Sequence, residues 1–281
     1  MVSLFATARN KATIFSSAEI ATIMDFDFSA IFIEEEQVFD LAEYPFAVVQ
    51  RMGGSPPTSI TPQDMQVAFR RESNACQQSL SELALAAKEP LPFSVRRGSV
   101  LGILTAEPQV SCIALPRPSA PGAYRALLDQ VRSVQTLTQS VLIGPTEHRK
   151  GLAGPVIVVL EEGINHEILV AHAAKVAQNI NVPILAITIG NSNNMPTLQS
   201  LRSYFGDDLV FDITNIRQSD RELLKRSVAA ADASLVIASS SGQFGKNSEK
   251  ALQLLLATKS ALLMIGDESI KSEEDGRPDP V

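Results

Sequence analysis

The sequence predicts an α/β chain of two tandem open parallel sheets, each covered by helices. Three observations carry this expectation. Strand-like and helix-like segments alternate through the second half, several of those strands have counterparts in the same order in the first half, and a polar stretch separates the two. Alternation of that kind implies parallel strands joined by right-handed helical crossovers.

In the first half, Val2–Ala6 is a candidate opening strand and Thr13–Met24 a candidate helix. Ser29–Ile33 (SAIFI) reads as a strand, and the acidic run Glu34-Glu35-Glu36 as the charged start of a loop or helix. From Pro62 onward, Met65, Phe69, Cys76, Leu80, Leu83 and Ala87 place apolar groups along one face of a long helix. Cys112–Leu115 and Ser140–Ile143 are the closing strands. The break falls near Pro145–Gly154, where PTEHRKGLAG is charged and glycine-punctuated.

The second half is plainer. Gly154–Leu160 is a β-branched run suited to a strand buried on both faces. Ile168, Leu169, His172, Ala173, Val176 and Ile180 then mark a helical face, which Asn181-Val182-Pro183 ends. Strands follow at Ile184–Ile189, Leu209–Ile213, Ser234–Ala238 and Ala261–Ile265. Helices are expected around Thr197–Phe205, Ser219–Ala230 and Ser248–Ala257. LAITI, SLVIA and SALLMIG are similar to SAIFI, SCIAL and SVLIG of the first half, a repeat of roughly 120–145 residues.

Composition limits the partners. The chain has 281 residues, 45% of them hydrophobic, and a net charge of −7, which disfavours a nucleic-acid footprint built on clustered positive charge. A small anion at a local site stays compatible with that balance. Two cysteines cannot make a disulfide scaffold, no secretory signal is apparent, and the apolar runs are too short to span a bilayer. The expectation is a cytoplasmic protein without membrane or nucleic-acid partners.

Val156–Gly163 (VIVVLEEG), Ile168–Ile189 and Ala229–Ile265 resemble a universal stress protein domain, and Phe28–Phe46 resembles a diverged copy of the same unit. The resemblance implies two tandem Rossmann-like open five-stranded parallel-sheet domains, at 1–146 and 155–267, with a linker at 147–154; the acidic 268–281, with Gly, two prolines and no hydrophobic period, reads as a disordered tail. It implies a stress-response or regulatory role, with ATP or another adenine nucleotide as ligand of the second domain. Single-domain relatives pair through their last strands, so the two copies should form an intramolecular pseudo-dimer through Ser140–Ile143 and Ala261–Ile265. A homodimer of the chain is a further expectation.

Within that resemblance, Glu162-Gly163 stands where the family has an acidic residue near the base. Ser239, Ser240, Ser241, Gly242, Gly245, Lys246, Asn247 and Ser248 stand where it has a phosphate loop. Glycines there let backbone amides approach phosphate oxygens, and a helix start adds favourable partial charge. Gly242 and Gly245 form Gly-x-x-Gly. Nine residues further, however, the family's Gly-Ser is replaced by Leu255-Leu256, or by Leu252-Gln253 counting from Gly242. The plainer reading is a turn that caps the last helix, with Ser248 as N-cap. In the first half the corresponding loop is Pro116–Gly122, whose three prolines remove amide donors, and the expectation is a lost site with a solvated Arg117.

The remaining chemistry-bearing residues form no catalytic set. Glu161 and Glu162 are adjacent in a strand and point to opposite faces. His148, His166 and His172 lack metal-ligand spacing, and His172 reads as a packed core residue. Cys76 and Cys112 read as small buried apolar groups. The chain is therefore read as a non-enzyme. An interaction module with vestigial pockets is the alternative, and a slow nucleotide hydrolase a more distant one.

Overall fold

A computed structural model describes residues 3–7, 11–49, 58–87, 90–106, 110–118, 123–136, 138, 140–145, 152, 154–190, 196, 199–201, 211–216, 221–242 and 259–266. The expected helix Ser248–Ala257, its cap Ser248 and the acidic tail lie outside these residues.

The first half runs β1 (Ser3–Thr7), α1 (Lys11–Met24), β2 (Asp27–Glu34), α2 (Glu36–Glu43), a small antiparallel ribbon of β3 (Val48–Val49) and β4 (Thr58–Ser59), and α3 (Pro62–Ala87). It continues through β5 (Phe93–Arg97), α4 (Val100–Thr105), β6 (Val110–Leu115), α5 (Tyr124–Gln135) and β7 (Ser140–Ile143). The second half runs β8 (Val156–Glu161), α6 (His166–Ile180), β9 (Ile184–Ile189), β10 (Phe211–Ile216), α7 (Arg221–Ala230), β11 (Leu235–Ser239) and β12 (Ala261–Ile265).

The five strands of each half join edge to edge in one ten-stranded sheet ordered β10-β9-β8-β11-β12-β7-β6-β1-β2-β5. Within each half all pairings of this large sheet are parallel, and its first strand lies centrally, with the next two on one side and the last two on the other. The halves meet at one antiparallel seam, with Leu262 opposite Ile143 and Ile265 opposite Ser140. The strands expected to pair do so.

Period-two alternation divides the core into two layers. Cys112, Ala114, Leu142, Val158, Leu160, Ile237 and Leu263 face α1 and α6, while Ile113, Leu115, Ile143, Val159, Val236 and Met264 face α5 and the end of α7. Both layers run across the seam. Leu142, Ile143, Leu262, Leu263 and Met264 are each at most 2% exposed. Each such burial contributes about 1.5–3 kcal/mol, so the seam is a substantial part of the apolar packing. Outer links add to it: Lys175 Nζ reaches Met24 O at 3.0 Å and Asp25 Oδ2 at 2.9 Å, and Leu152 N donates to Glu19 Oε1.

Local sequence explains the helix boundaries. Thr61 Oγ1 accepts from Asp64 N, and Asp64 Oδ2 accepts from Thr61 N, a reciprocal cap that starts α3. Asn165 Oδ1 caps α6 by accepting from Glu167 N, and Asn181 ends it in the left-handed conformation at φ 53°.

Candidate functional site

In each half the strand order reverses between the first and fourth strands, where open α/β sheets hold ligands beyond their carboxyl ends. In the second half that point lies between β8 and β11, which pair in parallel. Two turns meet there: Glu161–Gly163 leaving β8 and Ser239–Gly242 leaving β11.

All six residues of β8 are buried, and the last, Glu161, is 3% exposed. The chain then turns outward, leaving Glu162 exposed, and Gly163 takes φ 81°, a left-handed conformation that favours glycine. His166 Nε2 donates to Glu161 O at 2.7 Å and ties this turn to the first residue of α6. On the other side, Ser239 is 2% exposed and its Oγ accepts from Ser241 N at 3.1 Å. Ser240 N donates to Ile265 O at 2.8 Å and holds the turn against β12.

The carboxylate of Glu161 lies against Gly242. A Cβ at position 242 would stand 2.6 Å from Glu161 Oε2 and 2.9 Å from its Cδ, so only glycine lets this side chain lie as it does. The structure thus brings together Glu161, Ser239, Ser240, Ser241 and Gly242, with Gly163 close in sequence and Glu162 pointing to solvent. Gly245, Lys246, Asn247 and Ser248 lie outside the described residues. Glu161, absent from the expected site residues, is the acidic group facing the turn. Strand parity holds the signal: Ile157, Val159 and Glu161 share a face.

The first half differs more from expectation. A crevice of about 890 Å³ opens at its carboxyl-end edge, lined by Lys11 after β1, Glu35, Glu36, Gln37 and Asp40 after β2, Gly98 to Val100 after β5, and Pro116 to Pro118 after β6. Arg117 is not solvated. It is 4% exposed, its Nε donates to Gly144 O at 3.0 Å, and its Nη2 donates to Ser260 O at 2.7 Å in the second half. Burial lowers its pKa to about 10.

Other expectations resolve simply. Cys76 and Cys112 are buried, which pushes their thiols up to about 11 and about 12. His172 is only half-buried, with Nδ1 donating to Ile168 O at 2.8 Å, so it closes a helical turn instead of filling the core. Among the described residues no cluster of three or more His, Cys, Asp or Glu side chains could hold a metal, and no helix is long and apolar enough to cross a membrane.

No protein-family model matches the sequence, and no curated protein matches it. Solved structures do resemble it. A universal stress protein from Archaeoglobus fulgidus DSM 4304 superposes with a TM-score of 0.62 at 11% identity, covering 94% of this chain and 96% of that one. A functionally unknown protein from Pseudomonas aeruginosa PAO1 gives 0.58 at 14% identity over 97% and 95%. A putative universal stress protein from Pseudomonas aeruginosa UCBPP-PA14 gives 0.56 at 12% identity over 97% and 96%. At such identities the likeness shows the fold alone: the chain has the α/β fold of these proteins along almost its whole length.

Proposed function

We propose that the chain is a non-enzymatic stress-response or regulatory protein that holds an adenine nucleotide weakly in its second half. One observation carries the reading. The Glu161–Gly163 and Ser239–Gly242 turns stand at the carboxyl ends of adjacent parallel strands where the strand order reverses, the place where a parallel sheet offers backbone amides to a ligand. The structural neighbours that are universal stress proteins support the regulatory class.

The same geometry accounts for weakness. A phosphate approaching Gly242 would have to displace the Glu161 side chain packed against it. That observation also favours the second reading, an interaction module whose pockets are vestigial. Titration of ATP into the full chain by calorimetry separates the two. The first reading expects binding in the upper micromolar to millimolar range that Gly242→Val abolishes. Absence of heat at millimolar ATP overturns it and leaves the interaction module. Mass spectrometry of small molecules released from denatured protein checks the same point independently, since a held nucleotide would be recovered as ATP or AMP.

A further inference from the structure

The sequence carries one basic signal twice. Arg70-Arg71-Glu72-Ser73 and Arg96-Arg97-Gly98-Ser99 each set two arginines three and two residues ahead of a serine. That spacing suits an enzyme whose substrate groove pairs carboxylates with both guanidiniums and so fixes which hydroxyl reaches its catalytic centre. On spacing alone the two serines are equivalent. Their surroundings separate them.

Ser73 lies within α3, is 7% exposed, and its Oγ donates to Arg70 O at 3.1 Å, so the hydroxyl turns back onto its own helix. The helix also spreads Arg70, Arg71 and Ser73 round its circumference at about 100° per residue, an arrangement that a groove for extended chain does not fit. Ser99 stands in the opposite setting. Arg96 and Arg97 end β5, the edge strand of the large sheet, which pairs with β2 alone among the described residues. Arg96, Arg97 and Ser99 are all exposed, and Ser99 is itself extended at φ −79° and ψ 148°. Its Oγ accepts from Gly102 N at 3.0 Å, a bond that uses the oxygen and not the hydroxyl proton.

Two contacts must yield to a groove. Arg97 Nη2 holds Glu34 Oε2 at 3.0 Å and its guanidinium lies 4.0 Å from the centre of the Phe39 ring, yet the side chain stays 49% exposed, and a surface ion pair is a weak hold. Val100 opens α4, whose six residues are too few for the helix to persist on its own hydrogen bonds, so the chain beyond Ser99 extends at small cost.

We propose that Ser99 is a phosphorylation site for an arginine-directed serine/threonine kinase, and that Ser73 is not. In the transfer, Ser99 Oγ attacks the γ-phosphorus of the ATP that the kinase holds with magnesium. The Oγ–P bond forms, the bond from that phosphorus to ADP breaks, and the hydroxyl proton passes to the kinase's base. The product carries about −1.5 to −2 added charge on the rim of the first-half crevice, which Ser99 lines. The inference is independent of the second-half reading.

Its test is incubation of the folded full chain with ATP, magnesium and the catalytic subunit of cyclic-AMP-dependent protein kinase, followed by mass spectrometry of the digested chain. Expected is a single phosphate, on Ser99. Ser99→Ala should abolish that incorporation and Ser73→Ala should leave it unchanged. Arg96→Gln, which keeps the Ser99 cap of α4, should slow it roughly tenfold or more. No incorporation, phosphate on Ser73 at a comparable rate, or modification of Ser99 that Arg96→Gln does not slow would overturn the proposal. Far-UV circular dichroism confirms that each variant keeps the fold.

Discussion

Arg117→Met removes a buried cation that joins the two halves, and the structure allows its cost to be worked out. The guanidinium donates to Gly144 O at 3.0 Å and Ser260 O at 2.7 Å. Hydrogen bonds from a charged donor contribute about 1.5–3 kcal/mol each, so ~3–6 kcal/mol is lost. Against this stands the relief of a buried charge. The depression of its pKa to about 10 corresponds to ~3 kcal/mol that methionine does not pay. The bonds win by a small margin, and methionine keeps most of the packing. The difference is ~0–3 kcal/mol, and the expected outcome is a loss near its middle, ~1.5 kcal/mol. The chain has no tryptophan, so urea unfolding is best followed by far-UV circular dichroism, with an unchanged m-value as the sign of an unchanged fold. Arg117→Met within 0.5 kcal/mol of the parent, or more stable than it, would show that desolvation outweighs the clamp and refute the reasoning.

Two further predictions concern tight packing and buried thiols. Gly144→Ala drives a Cβ into Thr13 Oγ1 and to 2.8 Å from its Cβ, in a side chain with no exposed surface, and should cost about 1–3 kcal/mol. Adding Thr13→Ala should recover part of that loss in thermal melts, and failure to recover any would exclude this contact as the cause. Cys112, with its thiol pushed up to about 12, should resist iodoacetamide at pH 8 in the native protein and react once unfolded, as mass spectrometry of the labelled chain would show. Its raised folded value means that the native state keeps the proton longer than the unfolded chain, whose thiol ionises near 9. The resulting stability is therefore complete below pH 9 and is lost as pH rises towards about 12, and Cys112→Ala should remove that part of the alkaline slope.

How much of this was legible follows from what each residue touches. Ile184–Ile189, Ser140–Ile143 and Ala261–Ile265 are found with the bounds expected, because strands buried on both faces must be apolar throughout. The edge strand Phe93–Arg97 escaped notice for the opposite reason. Its first two residues are half-buried and the last three exposed, so FSVRR shows no apolar run. Val100–Thr105 is a six-residue helix of strand-like composition, set by the Ser99 cap that accepts from Gly102 N. At the candidate site, glycines and serines marked the turn, yet which glutamate faced it depended on where β8 ends, a boundary of one residue. The burial of Arg117 was beyond reach. Its acceptors lie 27 and 143 residues away and are main-chain carbonyls, which carry no sequence signal.

The antiparallel seam has a consequence for how such a chain can change over time. Two free copies meeting across β7 and β12 would have to find each other at cellular dilution, and every change in one would appear in both. Joined through residues 144–155, they meet at an effective concentration of about millimolar or above, so association no longer depends on abundance. Each half is then free to alter its own carboxyl-end edge while the other keeps the shared sheet intact. Because the seam reverses strand direction, those two edges lie at opposite ends of the strands, where a proline-walled crevice and a serine-rich turn can differ without interfering.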